Sequence, residues 1–380
     1  MRIPQQLQFA RIEAILTELE GAGSYVLTMS PGNSYHALGG EAALVQAFVT
    51  WAQQEALPHI RLAITGAGFD PHEAVSRMSS LGAALLTNRT SIGAQDVTEA
   101  VSRAALARLA ILQGQAPRTG SRGPQIEIVC ADHLGRSYPV TLYDSVSDGK
   151  PIPKPESGLG DLIRLIIRTT MQTEFERGET DHLTQPLAGA LYELFRNTHE
   201  HARHDLAGNF IKRSLRAVQA RRHSITPQIL ARIAEDTPAI EAYCRRLQPR
   251  RGRAQLQLLE LSVLDSGPGL AARWLGRPVT REDRGAVELK AVMDCFAKGA
   301  STKPRPGAGM GLPNLIGVAR RSNGFLRLRT GAQSLCADLG LERDEPFGKA
   351  PDLQPLHGDR IMAVASGTLW TILLPINEAE

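Results

Sequence analysis

With 380 residues and 41.2 kDa the chain has room for two or three domains at roughly 150 residues each, and 42% apolar with 22% charged residues excludes wholesale disorder. The best apolar candidate, Leu162–Ile167, carries Arg164 in its middle and Arg168 straight after, against the about 20 apolar residues that a spanning helix needs, so no membrane segment is expected. Four scattered cysteines (Cys130, Cys244, Cys295, Cys336) without a CxxC pair argue against a disulfide framework or zinc site, and with no basic-then-apolar leader at Met1–Gln6 they point to the cytoplasm.

Residues 1–150 read as a small α/β domain whose role, sensing or partner binding, the sequence leaves open. Ser24–Ser30 and His59–Thr65 are short β-rich runs, and Gly40–Ala56 between them has apolar residues at helical spacing. Helical stretches are expected over Pro71–Thr87 and Ala94–Gln113. Gln125–Ala131 and Ser137–Tyr143 then alternate as a hairpin would, with Asp132–Gly135 at the turn. His36 and the lone His59 read as structural. Alternating prolines at Pro151, Pro153 and Pro155 make 151–160 a linker, since each fixes an extended backbone and removes a donor.

The chemistry lies in residues 161–380. Asp161–Thr173 is amphipathic, and a second helix over Pro186–His201 carries Glu193 and Asn197 four apart, hence on one face. A carboxylate beside a carboxamide suits a hydrated Mg²⁺ and an activated water: the amide oxygen is a hard ligand and the Glu a base. Between residues 203 and 253 twelve basic residues meet four acids, a net +8 against +4 for the whole chain. The plain reading of that run is a solvated helical face; the sharper one is a phosphate or nucleic-acid surface. Few aromatics accompany the charges, which speaks against a base-stacking platform. His199, His201 and His204 do not share one helical face and make a poor metal cluster.

A strongly apolar strand, Leu256–Leu264, then runs into Asp265-Ser266-Gly267-Pro268-Gly269. An Asp there can accept from an exocyclic amine such as adenine N6, and Gly267 and Gly269 let backbone pass close to a flat ring. Ordinary turn chemistry accounts for the same residues. Gly307-Ala308-Gly309-Met310-Gly311-Leu312 leads into a helix over Pro313–Ser322, an anion cradle of free N–H groups and a positive helix end. It is neither a Walker A loop nor a dinucleotide GxGxxG. Strands at Phe325–Arg329 and at Thr368–Pro375, the latter preceded by Gly367, close the chain.

Glu-x-x-x-Asn, strand-Asp-x-Gly-x-Gly, Gly-x-Gly-x-Gly-Leu with its helix, and Gly-Thr with a strand ending in Pro occur here in one order. That order resembles the N, G1 and G2 boxes of the GHKL ATPases, the superfamily of gyrase, heat-shock chaperones, histidine kinases and MutL, over about residues 160–380. The resemblance implies an α+β chain whose C-terminal part is a Bergerat-type α/β sandwich, a mixed and mainly antiparallel sheet with helices on one face, holding ATP under a mobile lid. It implies Asn197 as ligand to Mg²⁺, Asp265 on the adenine amine with Gly267 and Gly269 beside it, and Thr368 at the adenine side. Gly307, Gly309, Gly311 and Leu312 would wrap the phosphates, Glu193 would activate water, and Lys303 in the lid would neutralise the γ-phosphate. Dimerisation, or a protein partner met through residues 1–150, is expected by the same resemblance.

The pattern departs from that family in two internal stretches. Asn197 and Asp265 lie 68 positions apart, so about 204–252 is expected to be a helical insertion. Ala332–Ala365 reads as a surface excursion. His182 lacks the surroundings of a phospho-accepting histidine, which disfavours autophosphorylation. The competing readings are a protein kinase of the anti-sigma serine or histidine type and an ATP-sensing nucleic-acid scaffold.

Overall fold

A computed structural model describes all residues except 4–5, 22, 31–33, 36–37, 65–67, 115–124, 145–150, 172–180, 248–254, 298–310, 359 and 377–380. The first elements are α1 (Phe9–Glu20), β1 (Val26–Met29), α2 (Gly40–Gln54), β2 (His59–Leu62), α3 (Met78–Leu86), β3 (Arg89–Ile92) and α4 (Thr98–Gly114). Strands β1, β2 and β3 pair in parallel, and Gln95–Asp96 folds back antiparallel on β3. The helix expected over Pro71–Thr87 is broken. Asp70 caps a single turn at Pro71–Ala74, and the Arg77/Ser80 capping pair starts α3 afresh.

The remaining elements are β4 (Gln125–Cys130), α5 (Glu156–Met171), α6 (Asp181–His201), β5 (Arg216–Ile225), α7 (Pro227–Asp236), α8 (Pro238–Leu247) and β6 (Leu256–Leu264). They are followed by α9 (Leu270–Leu275), α10 (Ala286–Asp294), α11 (Gly311–Arg321), β7 (Phe325–Gly331), β8 (Gln333–Asp338), β9 (Gln354–Pro355) and β10 (Ala365–Pro375). They build one seven-stranded sheet in the order β9-β8-β7-β10-β6-β5-β4, antiparallel at every pairing. The protein is therefore mixed α+β, with no parallel pair among the described residues of the large sheet.

Three expectations change. Gln125–Cys130 pairs with β5 and not with the segment after it, leaving a single Ala131–Arg136 bridge from the expected hairpin. The large sheet thus draws an edge strand from the first 150 residues, across the Pro-rich segment where the sequence suggested a division. The stretch 204–252 is not a helical insertion: β5 lies inside the sheet, with α7 and α8 after it. Ala332–Ala365 is not a plain excursion either, since β8 pairs along β7 from Phe325–Asp338 to Thr330–Gln333.

Helices cover both faces of the sheet, not one. Leu258, Leu264, Phe325, Leu369 and Leu373 pack under α1 and α2, while Leu259, Leu261, Val263, Leu326, Trp370 and Ile372 pack under α5, α6 and α11. Burial on both sides explains why β6 reads as a nearly continuous apolar run. Two of its polar exceptions lie on the α2 side and are bonded: Glu260 accepts from the Gly39 amide at 2.7 Å and faces His223 at 2.7 Å, and Ser262 meets Thr371 of β10 at 3.0 Å. Long-range polar ties fix the α1 layer. Asp236, at the end of α7, takes the free amides of Phe9 (2.5 Å) and Ala10 (2.9 Å), capping α1 where Gln8 supplies no side-chain cap. Buried Arg329 makes a two-pronged pair with buried Glu13, each prong 2.9 Å. Among the described residues no helix is long and apolar enough to cross a membrane.

Candidate functional site

The two loops at one end of the sheet, 265–269 after β6 and 366–368 in β10, are laced together. Asp265 N–H donates to the Thr368 carbonyl at 3.0 Å, and Gly367 N–H to the Gly267 carbonyl at 2.8 Å. The Asp265 carboxylate turns back on both loops: Oδ1 accepts from Gly267 N–H at 2.8 Å and from Thr368 N–H at 3.1 Å. Oδ2 takes no hydrogen bond from the described residues, so one acceptor face of a buried carboxylate stays open. Burial pushes this carboxyl up to about 6, against the pull of those two amides and of Arg216 and Arg273.

Glycine is required where the loops touch. Gly367 has φ +73, and a β-carbon there would collide with the Asp265 carbonyl oxygen. At Gly267 a β-carbon would sit 2.8 Å from Ala202 Cα, just beyond the end of α6. Gly269 (φ +87) lies against Thr330, whose Oγ1 accepts from Leu270 N–H at 3.0 Å and stands 3.3 Å from Thr368 Oγ1. A cavity of about 270 Å³ opens beside this loop, with Pro268, Gly269, Ala272, Thr330, Gly331 and Val364 in its wall. Buried Glu288 also lines it but is engaged, accepting from Ala332 N–H and Gln333 Nε2.

Helix α6 runs along the same end. Glu193 and Asn197 are both half-buried, and the Asn197 carboxamide makes no hydrogen bond to the described residues. A β-carbon on Gly311, the first residue of α11, would lie 2.5 Å from Glu193 Oε2. The carboxylate therefore rests on the bare start of that helix, where N–H groups lack intrahelical partners. Arg273 of α9 donates to the carbonyls of His201 (2.5 Å) and His204 (2.8 Å), placing a cation at the C-terminus of α6. Described parts of all four motifs thus converge: Glu193 on Gly311, Ala202 on Gly267, and Asp265 on Thr368. Leu312 is buried in the core below. Lys303, Gly307 and Gly309 lie outside the described residues.

Sequence reasoning missed a polar network behind α6. Arg216, fully buried on β5, donates to both Asp132 carboxylate oxygens (2.9 and 2.8 Å) and to Tyr143 Oη at 2.9 Å. Tyr143 Oη stands 2.8 Å from His199 Nδ1; since the hydroxyl accepts from Arg216, its proton is free for the imidazole. Burial, with Arg216 and Arg203 nearby, drives His199 down to about 4, so the ring is neutral at physiological pH. The basic run signalled this cluster only as charge, because its partners are distant in sequence. Other members of that run are spent similarly: Arg203 pairs with Asp132 at 3.3 Å, Arg246 with Asp338, and Arg213 with the Glu55 and Ala56 carbonyls. Among the described residues no group of three His, Cys, Asp or Glu side chains is placed to hold a metal ion.

Compared with known proteins, the chain matches no protein-family model and no curated protein.

Proposed function

We propose that the chain is a cytoplasmic, Mg²⁺-dependent ATPase of the GHKL type, with a Bergerat-type sheet and the nucleotide between α6, the loop after β6 and the start of α11. The observation that supports this best is Asp265, whose Oδ1 is held by two amides while Oδ2 is left for an exocyclic amine. Gly267 and Gly269 leave room for the ring, and Thr368 flanks the base. The half-buried oxygen donors of α6 fit a hard cation: Asn197, without a described partner, would be its protein ligand. Bound Mg²⁺ would supply charge neutralisation across the phosphates. Glu193 takes the proton of the attacking water, and its seat on Gly311 puts it beside the amides of α11, which with Gly307, Gly309 and Leu312 cradle phosphate oxygens. Lys303 offsets charge growing on the γ-phosphate. Contact of Lys303 with the γ-phosphate in the ATP state would carry the signal to a second copy or a partner protein.

Incubation with γ-labelled ATP and Mg²⁺ tests the reaction. Release of free phosphate without labelled protein is expected. Label retained on this chain or on an added protein would replace hydrolysis by the kinase reading.

A further inference from the structure

The face of the large sheet away from α6 is covered by α2, which is apolar and buried over almost its whole length. Of its five polar side chains, the three at positions 46, 50 and 53 have a spacing that puts them on one stripe. All three are spent on the two loops of the candidate site or the strand ends beside them. Gln46 Nε2 donates to the carbonyls of Ser366 (3.2 Å) and Arg329 (3.1 Å). Thr50 Oγ1 accepts from Ser366 N–H at 2.9 Å and donates to the Gln46 carbonyl at 2.9 Å. Gln53 Nε2 donates to the carbonyls of Ser266 (3.0 Å) and Arg213 (3.1 Å). Ser266 sits between Asp265 and Gly267, and Ser366 directly before Gly367-Thr368. Placing amides and a hydroxyl in an apolar helix costs free energy unless each is bonded, so the stripe exists for these partners.

We infer that Gln46, Thr50 and Gln53 of α2 are positioning residues that strap both loops and so fix the open oxygen of Asp265 toward a bound base. The strap reaches the loops from the sheet face opposite α6, so the N-terminal α/β unit is a structural part of the site. The bearing of this strap on nucleotide affinity rests on the ATP reading above; the restraint of the loops does not.

Two measurements on the full chain separate them. Amide hydrogen exchange without nucleotide should rise at least about tenfold at 266–267 and 366–368 in Thr50→Val and in Gln53→Leu, each of which removes a tie to a loop. Thr50→Ser, which keeps the hydroxyl, should match the wild type. Gln53 is only half-buried, so its variant remains informative should the Val substitution unfold the protein. In ATP turnover the same variants should raise KM about tenfold and leave kcat within twofold. Unchanged loop exchange in both variants would overturn the strap. Faster exchange with an unaltered ATP affinity would overturn its positioning role. Faster exchange in a protein whose wild type binds no adenine nucleotide would uphold the strap and overturn the ATPase reading.

Discussion

Asp265 carries two opposed pH dependences. Its carboxyl is raised from 3.8 to about 6 by burial, so between those values the folded chain keeps a proton that the unfolded chain has lost. The group's contribution to stability is full below the unfolded value and is lost as pH rises through about 6. Acceptance of an exocyclic amine needs the ionised form, so ATP affinity should fall as pH drops below about 6. Asp265→Asn should weaken ATP binding by about 100-fold, the scale of a hydrogen bond to a buried charge, and remove that pH dependence; titration calorimetry at pH 5 and 8 checks both. Glu193→Gln preserves the shape that rests on Gly311 but cannot take a proton. It should bind ATP within about threefold of wild type and lose turnover by at least about 100-fold in a phosphate-release assay. Asp265 and Glu193 were legible in sequence because turn chemistry and helical spacing are local. The Arg216–Asp132–Tyr143–His199 network was not, because its members lie 84, 73 and 56 positions apart along the chain.

Among the elements, α1 depends most on distant partners. Burial opposes charge on Glu13, but Arg329 beside it more than offsets this and holds the carboxyl below its usual range. The stability that Glu13 contributes is therefore present above its unfolded pKa and is lost as pH falls through the folded one. Glu13→Ala leaves Arg329 buried without its carboxylate and should destabilise the fold by about 3–5 kcal/mol in urea unfolding, whereas Glu13→Ala with Arg329→Met should cost less. Strand β6 was readable from its apolar run and β10 from its place before Pro375. Strand β5 was not. Its sequence, RAVQARRHSI, has the charge of a solvated face, and Asp132, Tyr143 and the Ser137 carbonyl make Arg216 tolerable inside the sheet. The buried stripe on α2 escaped notice for a related reason: Gln46, Thr50 and Gln53 look like an ordinary polar helix edge until the loops above them are in place.

At the scale of the molecule the sheet is the middle layer of three. The N-terminal helices, with α7 and α8, cover one face, β4 closes one edge, and α5, α6 and α11 cover the other face. A fragment of residues 151–380 would lack β4, α1 and α2 and expose the part of the apolar face of β6, β7 and β10 that α7 and α8 leave uncovered. It should aggregate or unfold without cooperativity, as circular dichroism and thermal melting would show; a cooperative melt would mean the two halves are separable after all. The Pro-rich segment near 151 suggested such a separation because it breaks local structure, whereas pairing across it depends on long-range contacts that no local signal reports.

Equilibrium titration of the full chain with ATP and Mg²⁺, run beside Asp265→Asn, bears most directly on the nucleotide site. Saturable one-to-one binding that the substitution weakens by about 100-fold is the predicted result. Absence of binding to the wild type, or equal binding by both proteins, would contradict it.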